Sequence, residues 1–134
     1  MYRWVDHTAE LELRIEAGSE EGVFAEALAA LAELLGERTR EEPSPEEATR
    51  QIAVAAPDRP ALLAEWLSEL AYLAETEGWV PETLERLEVR GNELEATVAG
   101  PLASPPHLVK AVTYHRLDMW QEGETWRARV ILDV

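Results

Sequence analysis

The sequence predicts an α+β fold: a single domain of 134 residues in which two amphipathic helices pack on one face of a mostly antiparallel β-sheet. Three observations carry this reading. Two segments repeat apolar residues at three- and four-residue spacing, the helical period, between residues suited to start and stop a helix. The other apolar runs are short, rich in β-branched and aromatic residues, and separated by turn residues, as in antiparallel hairpins. Two helices also cannot cover both faces of a wide sheet, so both belong on one side.

Each element follows in order. Residues 11–17 alternate apolar and polar, the mark of a half-buried strand. Carried backwards through Asp6-His7-Thr8-Ala9-Glu10, that phase places His7 and Ala9 on the core face with Leu11 and Leu13, and His7 as a hydrogen-bonded core histidine. Gly18 breaks the strand, Ser19 caps a helix with Glu20 and Glu21 in its positive first turn, and Gly36 is expected to stop it in the left-handed conformation. Residues 37–49 are charged, carry Pro43 and Pro45, and read as an exposed connection. Residues 51–56 form a short strand with Ile52 and Val54 inward. Asp58 and Pro60 open the second helix, whose buried stripe is Leu62, Leu63, Trp66, Leu67, Leu70, Leu73 and Ala74, and Gly78 ends it. Residues 84–90 and 93–99 make a hairpin around Gly91-Asn92, and 100–106 is a proline-bearing loop. A last long hairpin joins residues 109–115 to 126–134 through Gln121-Glu122-Gly123-Glu124, and its second strand runs to the final residue. The five tryptophans read as core and rim packing.

Charge and composition exclude several functions. The net charge of −15 is spread along the chain and repels phosphate backbones, so direct nucleic-acid binding is not expected. A basic protein surface or a cation is the natural partner of such a surface. There is no cysteine, which removes disulfides and thiolate metal sites; no apolar run suits a membrane, and the default compartment is the cytosol. Nucleophile elbows, phosphate-cradling glycine loops, paired zinc histidines and EF-hand loops are absent.

Two features carry chemistry. Asp133 ends an apolar strand beside the carboxylate of Val134, and an acid from the first segment brought to the same place would crowd three negative charges, a situation that a hard cation relieves. Lys110 is the only lysine against eleven arginines, a compact, readily titrating charge on a strand.

At these residues the chain resembles the archease family. The resemblance rests on four pieces in order: Asp6-His7-Thr8-Ala9-Glu10, then Glu65-Trp66-Leu67-Ser68-Glu69-Leu70-Ala71-Tyr72-Leu73, then Val109-Lys110-Ala111-Val112-Thr113-Tyr114-His115, and last Ala128-Arg129-Val130-Ile131-Leu132-Asp133-Val134. It implies a non-enzymatic protein cofactor of the RtcB-type RNA ligase of tRNA splicing and RNA repair, one that promotes guanylylation of the ligase histidine and multiple turnover. It also implies a divalent-cation site at Glu10, Asp133 and Val134, calcium foremost with magnesium and manganese as alternatives, and a partner contact at Lys110. The chain departs from the family pattern twice: Glu10 stands where aspartate is usual, and Arg116 where glycine is common. The other readings are a small metal-dependent hydrolase on the same carboxylates and a chaperone-like modulator without ligase specificity.

Overall fold

The computed structural model describes residues 1–36 and 46–134. Strand β1 (Tyr2–His7) and β2 (Glu10–Ala17) precede helix α1 (Glu20–Leu35). Then come β3 (Glu47–Ala55), α2 (Arg59–Glu77), the hairpin β4 (Thr83–Arg90) and β5 (Glu93–Pro101), and the hairpin β6 (Ala111–Glu122) and β7 (Thr125–Asp133). The α+β class holds, and every strand pair is antiparallel. The strands are divided between two sheets instead of forming one: β1-β2-β7-β6 and β3-β5-β4.

The helices belong to both sheets. Helix α1 packs on β2 and β4, and α2 on β6 and β3. One apolar cluster runs through both sheets and both helices, including Leu13, Phe24, Leu31, Trp66, Leu94 and Val130. This explains why α2 buries Leu62, Leu63, Ala64, Trp66, Leu67, Leu70 and Ala74, a wider arc than one contact face requires. Trp66 and Trp79 are fully buried, and each satisfies its indole N–H on a backbone carbonyl, Trp66 on Phe24 O at 3.0 Å and Trp79 on Ala48 O at 3.1 Å.

The caps follow the local chemistry. Ser19 Oγ accepts from Gly22 N at 3.0 Å and Asp58 Oδ1 from Ala61 N at 2.9 Å, each relieving an orphan donor of a first turn. Gly78 closes α2 at φ 62°, in the left-handed region. Gly36 does not: it sits at φ −140°. Its small size serves packing, since a Cβ there would lie 2.9 Å from Val80 Cγ1.

Three local expectations are corrected. The first strand is a hairpin, because β1 pairs with β2 from Tyr2↔Ile15 to His7↔Glu10 and the chain reverses at Thr8-Ala9, with Ala9 at φ 62°. The reversal resets the alternation, so His7 and Ala9 are exposed instead of sharing the core face with Leu13. The expected connection at 37–49 is shortened by β3, which begins at Glu47; its residues 37–45 lie outside the described residues. The expected loop at 100–106 starts later, because β5 continues to Pro101 and the segment after α2 pairs with it, Val80 N donating to Pro101 O at 3.0 Å and Glu82 N to Ala99 O at 3.1 Å. No helix among the described residues is long and apolar enough to cross a membrane.

Candidate functional site

The larger sheet places the expected acids by register alone. Strand β7 lies between β2 and β6, with Asp133 opposite Glu10 on one side and Ala111 on the other. Directly paired residues project to one face, so His7, Glu10, Asp133 and Ala111 form one transverse row. Leu11, Leu132 and Val112 form the next row, on the opposite side, where Leu132 and Val112 join the core. Glu10 and Asp133 are both half-buried. Lys110 belongs to the same strand end: its backbone N–H donates to the Asp133 carbonyl at 2.8 Å, and its side chain is exposed. Val134, next to Asp133, is exposed.

Among the described residues no group of three or more histidine, cysteine, aspartate or glutamate side chains is placed to hold a metal ion. A cation at this row therefore needs a further donor besides Glu10 and Asp133. The donor chemistry suits a hard cation: two carboxylates opposite each other repel, and oxygen ligands are what calcium and magnesium take. One row further along, the Thr113 hydroxyl is buried without a hydrogen-bond partner.

That second row also holds a feature the alternation did not reveal. Glu12 lies two residues from Glu10 on the same face and is fully buried. Burial pushes its carboxyl upward, but the Arg14 guanidinium, the His7 ring and the Arg116 charge outweigh this and hold it below the ordinary glutamate range. Arg14 Nε bonds Glu12 Oε2, and His7 Nε2 lies 3.3 Å from Glu12 Oε1. His7 is thus an exposed partner of a buried acid on the site's own face, not a core histidine. The sequence signal was available: His7, Glu10 and Glu12 share one face once the turn at Thr8-Ala9 is recognised.

Arg116 sits at φ 57° in a bulge of β6, where the pairing with β7 jumps from Thr113↔Ile131 to Asp118↔Arg129. The bulge is tied down from two sides. Arg129 Nε donates to Arg116 O at 2.9 Å, and the Tyr114 hydroxyl donates to Glu65 Oε1 on α2 at 2.8 Å. The bond to Glu65, burial and the negative charges of Glu65 and Asp58 all raise the Tyr114 pKa above that of an ordinary tyrosine.

The whole described chain fits this frame to a known family. Residues 2–134 match the model of the Archease protein family. The chain belongs to the archease family. The archease of Methanopyrus kandleri is 30% identical over 138 residues, covering 97% of this chain and 96% of its own length. That of Methanosarcina mazei is 28% identical over 142 residues, covering 99% and 95%. Two solved structures share the fold. The solution structure of Methanobacterium thermoautotrophicum protein 1598 superposes with a TM-score of 0.70 at 27% identity, covering 99% of this chain and 98% of that one. A crystal structure from Thermotoga maritima, described as an archease and possible chaperone, gives 0.68 at 25% identity over 100% and 98%.

Against the family pattern stated above, the left-handed backbone at Arg116 gives the glycine common there a physical reason: φ near +57° is easy for glycine and strained for arginine.

Proposed function

We propose that this protein is a non-enzymatic activator of an RtcB-type RNA ligase, acting through the strand end that carries Glu10, Asp133, Val134 and Lys110. The observation that carries the proposal is the register of β2 on β7, which sets Glu10 opposite Asp133 in a chain of the archease family. Glu10, Asp133 and the Val134 carboxylate would hold a divalent cation, calcium foremost, and the ion would supply positive charge to neutralise the crowded carboxylates. Lys110 adds an exposed ammonium at the same strand end for a partner to meet. Activation of a ligase requires that the bound activator prefer the nucleotide-competent state; without differential affinity nothing shifts.

The test combines the protein with an RtcB-type ligase, GTP and RNA ends. Expected are faster ligase guanylylation and several turnovers per ligase, with no RNA joining by the protein alone. Asp133→Ala is expected to remove the stimulation while its melting curve and circular dichroism stay native. Full stimulation by a folded Asp133→Ala protein would overturn the role of the strand end. The description of the Thermotoga relative as a possible chaperone supports a second reading, a modulator of proteins at large. Suppressed aggregation of unrelated proteins together with no effect on the ligase would favour it.

A further inference from the structure

The face of the larger sheet that carries Glu10 and Asp133 changes sign along its length. Two rows further on, Arg3, Arg14 and Arg129 are register partners across β1, β2 and β7. At about 4.8 Å between strands, the outer two backbones are about 10 Å apart, and like charges so paired repel. The next row adds Arg127 opposite both Glu16 and Trp120.

Two of these arginines are in ion pairs and two are not, although Asp118 of β6 stands opposite Arg129 in the same row. Arg14 is paired with Glu12, and Arg127 with Glu16 and Glu122. Arg3 and Arg129 have no ion-pair partner among the described residues, and Arg129 spends only its Nε, on the Arg116 carbonyl. In a chain of 27 acids and 12 bases, two arginines of one row without an ion-pair partner are the reverse of what abundance favours. Arg3, Arg14, Arg127 and Arg129 line one cavity of about 300 Å³, with Glu16 and Trp120 in its wall. Guanidinium forks in the wall of a concave site match phosphate oxygens two at a time.

We propose that this cavity binds a small phosphate-bearing anion, held between Arg3 and Arg129 across Arg14. The overall charge restricts the ligand to a compact one. At physiological salt the screening length is about 8 Å, so a small anion in the cavity feels the arginines at contact and little of the distant acids. A long polyanion would run out over the acidic surface and be repelled. The site lies about 13 Å along the strands from the Glu10–Asp133 row, four residues at strand rise, and needs neither a metal nor the ligase.

The test is calorimetric titration of the full chain at low salt with inorganic pyrophosphate, adenosine monophosphate and adenosine. Both phosphate compounds are expected to bind, and adenosine at least about tenfold more weakly, a loss of about 1.4 kcal/mol. Tighter binding of the nucleotide than of pyrophosphate assigns the site to nucleotides and Trp120 to the base; the reverse order assigns it to the free anion. The Arg3→Gln/Arg129→Gln double variant is expected to lose at least about tenfold in affinity for both. It should melt no lower than the parent, since the change removes repulsion. Arg90→Gln, on the other sheet, should bind as the parent does. No binding of either phosphate compound, or equal binding by a folded double variant, overturns the proposal.

Discussion

Glu12 shows how one buried charge is tolerated. Its carboxylate is fully buried, yet it is flanked by the guanidinium of Arg14 and the ring of His7, both of which reach solvent. Because partners and interactions lower its pKa in the folded protein, the stability it contributes is present above the unfolded glutamate value of about 4.3 and is lost as pH falls below that. Glu12→Gln keeps the shape and removes the charge. At pH 7 it should cost about 1–2 kcal/mol, the lower part of the range for charged hydrogen bonds because the partners are half in water. The gap between parent and variant should narrow between pH 5 and pH 3, as urea denaturation at each pH would show; a gap independent of pH would mean that the carboxylate is held for its shape alone. Arg116 presents a different residue-scale problem, a left-handed backbone without glycine. Replacing it with glycine or with alanine removes the same charge near Glu12, so the difference between the two variants isolates the backbone. Arg116→Gly should be the more stable by about 1 kcal/mol, read as a higher urea midpoint.

The elements were legible where the signal was local. The caps Ser19 and Asp58, the turn at Gly91-Asn92 and the turn at Gly123 each declare themselves in a few residues, and the structure uses all of them. Strand β1 did not declare itself, because its reversal uses Thr8-Ala9 and puts an alanine, not a glycine, in the left-handed region. The division into two sheets was also hidden: it depends on β3 choosing β5, a pairing across 38 to 54 residues that no window of the sequence displays. That pairing has its own constraint. Gly100 on β5 lies against the backbone of the segment after α2, and a Cβ there would come within 1.7 Å of the Val80 carbonyl oxygen. No rotamer relieves a clash with backbone, so strand and segment must separate. Gly100→Ala should therefore cost at least about 3 kcal/mol, in the overpacking range, whereas Gly18→Ala, with open space at the same position, should change stability little. Comparable melting temperatures for the two variants would show that β5 moves away from Val80 without cost.

At the scale of the molecule, one sheet face carries acid at one end and arginine toward the other, and the fold, not the composition, arranges both. The apolar run before Asp133 and the alternation after Glu10 were readable as strands, but their adjacency and register were not, since they join residues more than 100 positions apart. What the register implies can be tested without a partner. Glu10 and Asp133 face each other with like charge, which by cross-strand pair energies costs about 0.2–1 kcal/mol. Two consequences of opposite sign follow from that one contact. In a chelated buffer Asp133→Asn relieves the repulsion and should melt at or slightly above the parent. With calcium added, the parent gains RT ln(1 + [Ca²⁺]/Kd), about 2.7 kcal/mol at a hundred times Kd, and the variant gains far less. The order of melting temperatures should then invert, and chelation should restore it. An unpaired strand-end acid exposed for solubility alone predicts no inversion: both proteins would shift together with ionic strength, equally in calcium and in sodium chloride of matched strength. Thermal melts of the two proteins in those two salts decide between a cation site and an ordinary solvated strand end.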